Sequence, residues 1–368
     1  MNQRNIGLDF LRLLAMFMVV LIHVNNFGGL LQNKFFSIDF LPIYLFESLG
    51  IVAVNCFVLI SGFFLIKQDF RLKKLVALIT EITFYTLLLF TIAVIIKTPM
   101  DLKIIIKGLF KILLGRNWFI TCYIMLYILF PFINKFIHSL SLKQKHIFAI
   151  ITVLLFCMWT FVPQVNQKST CNGYTILWLL VLYYFGGYIR IVFVEGECKN
   201  LFNKISRFSG YGYIICSLIT LALCILLNLV GRNVWYALAY NKIFVFFSAI
   251  CLFIFMYKTN IKILFLQKLI LFFAPASFGV FLISTNMFFV QYQRQLLNKD
   301  FFLQSFNMPL MVLICAAAIY IVCLLISSLF HKRIFNFSDK YLYPLVEKVY
   351  IYIDKKLFGK LNSSSTKK

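Results

Sequence analysis

The chain has 368 residues, of which 62% are hydrophobic, 18% aromatic and only 13% charged, with a mean hydropathy of +0.90. Soluble domains run at about 45–50% apolar and about 25% charged residues, so composition excludes an ordinary soluble protein and indicates an integral membrane protein. The formal net charge of +24 does not signal nucleic-acid binding, because the basic residues fall in short clusters between apolar runs and not on one aromatic-interleaved face.

A membrane-crossing helix needs about 20 mostly apolar residues. In chain order the sequence predicts ten, at 7–28, 42–66, 75–96, 117–136, 146–163, 173–194, 210–230, 236–257, 275–293 and 307–330. The runs are continuous and lack apolar/polar alternation, so the expected fold is all-α, a polytopic transmembrane helix bundle and not a barrel. The first run is too long for a signal peptide and is followed by "NNFGG" in place of a small-residue cleavage site, so it is expected to stay in the membrane.

Lysine and arginine set the expected orientation. Of 36 basic residues, 24 fall on the side that holds the N-terminal segment, the even-numbered connections and the C-terminal tail, and ten fall on the other. Both termini are therefore expected to be cytoplasmic, in the inner, cytoplasmic membrane of the cell. Residues 101–115 place Lys103, Lys107 and Lys111 on one stripe of an apolar helix, which predicts an interfacial helix on the outer face. Residues 1–335 are expected to form the transmembrane domain and 336–368 a cytoplasmic basic amphipathic tail, with Leu342, Leu345, Val346, Val349, Ile353 and Leu357 at helical spacing. The ten cysteines are scattered and form no C-x-x-C, so they read as free, mostly buried thiols.

Within the first span, "GLDFLRLLAMFMVVLIHV" (7–24) carries Asp9, Arg12 and His23. Arg12 and His23 are eleven residues apart, three helical turns plus about 20°, so they share one face about 16 Å apart along the axis. Asp9 lies within pairing distance of Arg12. A bland reading has Arg12 snorkelling to headgroups and His23 ending a helix. Each ionisable group costs at least about 2.5 kcal/mol at the bilayer centre, so their alignment favours function, and histidine suits proton transfer near neutral pH. Spacing alone names no reaction.

These residues resemble a known family. The R-x10-H pattern of Arg12 and His23 after "GLD" is similar to the signature of the acyltransferase 3 family of bacterial membrane O-acyltransferases. "AVNCFVLISGFFL" (53–65), "FRLKKL" (70–75), "NWFITCYIMLYILFPFIN" (117–134), "YYFGGYIR" (183–190) and "SFGVFLISTN" (277–286) resemble its later landmarks in order. One departure is Ser284, where many relatives carry histidine. The resemblance covers residues 4 to about 330 and implies an acetyl-CoA-dependent acyltransferase. It would move an acyl group, most often acetyl, from cytoplasmic acyl-CoA to a hydroxyl of a surface or capsular polysaccharide or a lipid-linked oligosaccharide precursor.

The same resemblance implies roles. His23 would be the general base, Arg12 would orient the donor, and Asp9 would fix Arg12. Arg71, Lys73 and Lys74 either hold the CoA phosphates or follow the positive-inside rule. Ser61 bonds the donor or, with Gly62, allows close helix packing. Glu47, early in the second span, is a candidate for sugar binding or acid/base work, whereas Glu81 pairs with Lys73 or Lys74. Asn117, Trp118 and Tyr123 at the outer end of the fourth span either stack a sugar or belong to an interfacial belt. Asn25, Asn26 and Asn286 donate to a developing oxyanion or cap helices. His138, His146 and His331 fall in predicted connections without ligand spacing, so no metal is expected. Partners are expected to be acyl-CoA, the glycan and membrane lipids, with no nucleic acid. Two other classes stay open: a non-enzymatic transporter or flippase of a glycolipid, and a polytopic glycosyltransferase, both separable by acyl-CoA dependence.

Overall fold

The computed structural model describes residues 4–31, 38–97, 102–109, 117–162 and 170–365, with helices and no strand among them. The helices are α1 Ile6–Phe27, α2 Leu41–Gly50, α3 Ala53–Leu65, α4 Leu72–Ile95, α5 Leu102–Leu109, α6 Trp118–Ser139, α7 Leu142–Val153 and α8 Ile176–Tyr188. They continue as α9 Lys199–Leu229, α10 Ile243–Lys258, α11 Leu264–Phe273, α12 Ser277–Ser284, α13 Met287–Leu296, α14 Lys299–Leu303, α15 Met308–Phe337 and α16 Tyr343–Ser365.

Among the described residues, nine segments are long and apolar enough to cross a membrane. The expected eighth span, 236–257, is instead the 16-residue α10, about 24 Å long at ~1.5 Å per residue and short of a hydrocarbon core of about 30 Å. The expected ninth, 275–293, is shifted to Leu264–Ser284. Lys262 and Lys268 gave the start of that segment the look of a connection, but the exposed Lys268 is carried within helix α11, as a snorkelling side chain allows. The chain leaves this span at Thr285, and Asn286 begins the separate helix α13 by accepting from the Phe288 amide at 3.1 Å. Of the interfacial segment 101–115, helix is described over Leu102–Leu109, and its lysine side chains lie outside the described residues. The tail starts as a continuation of the last span through one wide turn, Ser338–Leu342.

Apolar side chains face outward around the bundle, with Phe208, Tyr211, Leu264 and Phe265 each 65–71% exposed. Patches of that extent need a nonpolar surrounding, and the chain is a multi-pass membrane protein. Burial separates the centre from the periphery: in the most apolar 18-residue stretch of Leu41–Leu65, 83% of residues are buried, and in that of Lys199–Leu229 only 22%.

The central pair is α3 and α8, and small residues set its spacing. A Cβ on Gly62 would fall 2.2 Å from the Tyr183 carbonyl oxygen, and one on Gly186 would fall 2.3 Å from that of Leu59. Close backbone approach of this kind is how membrane helices gain contact where no hydrophobic force drives them together. The last carbonyls of α3 need donors in a lipid setting. Arg190 donates to the Phe63 carbonyl at 3.0 Å, Asn134 to that of Leu65 at 2.8 Å, and the His138 ring lies 3.1 Å from that of Ile66. Helix α1 packs on this pair through α3 and is flanked by α2, α10, α12 and α15. It thus carries Arg12 and His23 through the middle of the protein.

Candidate functional site

At the Arg12 end, the start of α1 is fixed by Asn5, which accepts from the Leu8 amide at 2.9 Å and donates to the Tyr257 carbonyl at 3.1 Å. Asp9, 2% exposed, accepts from Arg4 at 2.5 Å and from Arg12 at 2.8 Å. The Arg12 guanidinium lies 5.2 Å from the Phe64 ring centre, and its field reaches the Tyr123 phenol. Ser61 Oγ lies 3.0 Å from the Phe57 carbonyl and 3.1 Å from Tyr123 Oη. A carbonyl only accepts, so the Ser61 proton goes to Phe57 and Tyr123 donates to Ser61.

The set continues along α6. Tyr127 Oη donates to the Arg71 carbonyl at 3.3 Å and lies within the electrostatic reach of both Tyr123 and Arg71. Arg12, Ser61, Tyr123, Tyr127 and the Arg71 carbonyl thus form one connected group at the Arg12 end of α1, while Asn117 and Trp118 lie at the start of α6, toward the other end. The other cations of this end are engaged: Lys74 donates to Gln68 at 2.9 Å and Lys73 pairs with Asp339 at 2.9 Å. Glu81 is not paired with either lysine. Its nearest ionic neighbour is His331 at 3.7 Å, which lies within α15 and not in a connection.

Between the two ends stands an aromatic wall. Phe119 packs at 5.7 Å on Tyr123 and 5.2 Å on Phe281, and Phe57 lies 6.2 Å from Phe278.

At the other end of α1, His23 opens on a cleft of about 530 Å³ formed with Phe27, Thr285, Gln291, Arg294 and Gln295. The His23 ring stacks on Phe27 at 5.4 Å and 12°, and the Arg294 guanidinium lies 5.3 Å from the same Phe27 ring. His23 Nδ1 is buried and makes no hydrogen bond of good geometry, although the Val19 carbonyl one turn back lies beside it. The ring lines the cleft, and a neutral imidazole there keeps one nitrogen free to accept a proton. The arrangement suits removal of a proton from a hydroxyl bound there.

The remaining expected residues divide. Asn117 caps α6 by accepting from the Ile120 amide at 3.3 Å and donates to Thr285 Oγ1 at 3.4 Å, which ties α6 to the cleft wall. Trp118 packs on Tyr174 at 4.7 Å and Tyr240 at 5.6 Å. Asn286 is buried as the α13 cap, and Ser284 is buried with its Oγ unpartnered. Glu47 is fully buried and accepts from Asn25 Nδ2 at 3.0 Å. Asn25 is two residues from His23, about 200° around the helix, so Glu47 lies on the opposite side of α1 from the cleft. His146 meets Tyr188 Oη at 2.6 Å, and no cluster of metal-ligating side chains occurs among the described residues.

Sequence reasoning missed Phe27, Thr285, Gln291, Arg294 and Gln295. The available signal is Gln291, Arg294 and Gln295 at i, i+3 and i+4 in "MFFVQYQRQL", one polar helical face; the expected ninth span, 275–293, ends between Gln291 and Arg294 and so divides it.

A family model described as an acyltransferase domain matches residues 5–328. No curated protein and no solved structure matches the chain.

Proposed function

Since the chain belongs to the acyltransferase 3 family, whose domain fills residues 5–328, we propose that this membrane acyltransferase moves an acyl group, acetyl in the first instance, from acyl-CoA to a glycan hydroxyl. The acceptor is a cell-surface or capsular polysaccharide or its lipid-linked precursor. The protein resides in the cytoplasmic membrane with both termini inside, the short α10 counting as a tenth crossing beside the nine longer spans, as the distribution of its basic residues favours. One observation carries the reading: His23, whose ring lines a cleft, stands on the same helix as the Asp9–Arg12 pair at the opposite end.

The donor enters from the Arg12 end. Arg12, held by Asp9, and Arg71 contact its phosphates, while the pantetheine arm runs along the aromatic wall toward His23. His23 takes the acceptor hydroxyl proton as the hydroxyl oxygen attacks the thioester carbonyl carbon. The C–S bond breaks, and the proton passes to the departing thiolate, giving the ester and free CoA. General-base catalysis of this kind contributes about 10²–10⁴-fold.

The test is thiol release from acetyl-CoA by purified protein in nanodiscs, with and without extracted surface glycan, for wild type and His23→Ala. Glycan-dependent release that disappears in the variant is expected. Full transfer by folded His23→Ala would remove the base from His23, and silence of the folded wild type with every acyl-CoA would overturn the reading.

A further inference from the structure

The chemistry of the His23 cleft bears on what the acceptor carries. None of its eight lining residues is acidic, and the one permanent charge is Arg294. Among the described residues Arg294 makes no ion pair. Its guanidinium is held against Phe27, whose ring also packs on His23. A positive fork, exposed to the cleft, therefore stands one ring away from the group that removes the proton. Gln291 and Gln295 lie on the same helical face and add amide donors.

The usual reason for a basic residue near a membrane does not apply here. Arg294 belongs to the basic-poor side of the chain, with ten of the 36 cations, where the positive-inside rule puts few.

Resting on the transferase reading above, we propose that the acceptor is an anionic glycan. Arg294 grips its carboxylate or phosphate in the two-pronged geometry that suits both groups, and Gln291 and Gln295 bind neighbouring hydroxyls. A further hydroxyl of the glycan is thereby placed at His23. Arg294 is a specificity-determining residue of this cleft.

The experiment measures binding, so that it stands apart from turnover. Full-length protein in phosphatidylcholine nanodiscs is titrated with trigalacturonate, a ribitol-phosphate trimer and neutral galactotriose, at low and high salt. At least one anionic probe is expected to bind about tenfold or more tighter than galactotriose, as one charge-assisted contact provides. Salt should reduce that preference. It should collapse in Arg294→Gln, return in part in Arg294→Lys, and persist in Arg232→Gln, a cation lining a separate cavity. The identity of the tighter probe separates carboxylate from phosphate. Equal binding of all three probes by the wild type, or an undiminished preference in Arg294→Gln, overturns the proposal. So does an Arg294→Gln effect confined to stability in phosphatidylglycerol nanodiscs, which would make the residue a headgroup anchor. Charge-selective binding without thiol release would fault the transferase reading and keep the cleft as an anionic-glycan site; transfer to neutral and anionic acceptors alike would keep the transferase reading and overturn the anionic preference.

Discussion

Asp9 and Arg12, one helical turn apart, meet at 2.8 Å with the Asp9 side chain 2% exposed and Arg12 30%. A carboxylate this buried is tolerated because two guanidiniums, those of Arg4 and Arg12, saturate it. Removing one partner of a buried pair costs about 3–5 kcal/mol. The partial exposure of Arg12 puts Asp9→Ala at the low end of that range. The donor KM is expected to rise more than kcat falls, because the loss is in orienting the donor. A normal donor KM in stable Asp9→Ala protein would sever Arg12 from donor binding.

Gly62→Ala is expected to be among the most destabilising single changes in the protein. Its Cβ would stand 2.2 Å from the Tyr183 carbonyl oxygen, and backbone atoms cannot swing aside as a flexible side chain can. Overpacking of this type costs about 1–3 kcal/mol or more. Thermal unfolding in detergent should fall well below wild type; an unchanged midpoint would mean that α3 and α8 part without cost.

The Ser61–Tyr123 hydroxyl pair, 3.1 Å apart, calls for a double-mutant cycle. If Tyr123 donates to Ser61, Ser61→Ala and Tyr123→Phe each lose the same hydrogen bond, and the pair couples by about 0.5–1.5 kcal/mol in stability. Tyr123→Phe also removes a hydroxyl within the field of Arg12 and is expected to lower transfer more than Ser61→Ala does. Additive stabilities would show that the two hydroxyls do not interact.

Beyond the α8 span, Glu195 accepts from Arg190 at 3.1 Å and pairs with Lys67. Partial burial raises its carboxyl, but the hydrogen bonds and charges of Lys67 and Arg190 outweigh this and hold it below its ordinary value of 4.5. A lowered folded value means that the ionised group contributes stability above 4.5 and loses it as pH falls from there through the folded value. The thermal midpoint is expected to drop more steeply with acid in wild type than in Glu195→Gln. Equal acid slopes for the two proteins would remove Glu195 from the acid response. The carboxyl is 36% exposed, so solvent screens the effect and keeps it modest.

Much of the bundle was legible along the chain, because a lipid-spanning helix writes its own length in apolar residues and needs no partner to be recognised. The places where the reading slipped share one cause. At 264–273 and 287–296 charged and polar residues occur inside helices, and one-dimensional hydropathy cannot tell a lysine that snorkels from one in a loop. Gly62 and Gly186 were visible as small residues, yet only packing showed that each meets the backbone of the other's helix.

For the site, the sequence by itself determined that Arg12 and His23 share a face and that Asp9 is in reach of Arg12, since helical periodicity fixes neighbours within one element. It could not decide what faces them. That Tyr123 joins Ser61 and Arg12, that Glu47 lies behind α1, and that His23 shares a cleft with Arg294 from a helix more than 260 residues later depend on how separate helices dock. Docking is decided by close packing and polar satisfaction across elements, contacts between residues far apart in the chain that no local pattern contains.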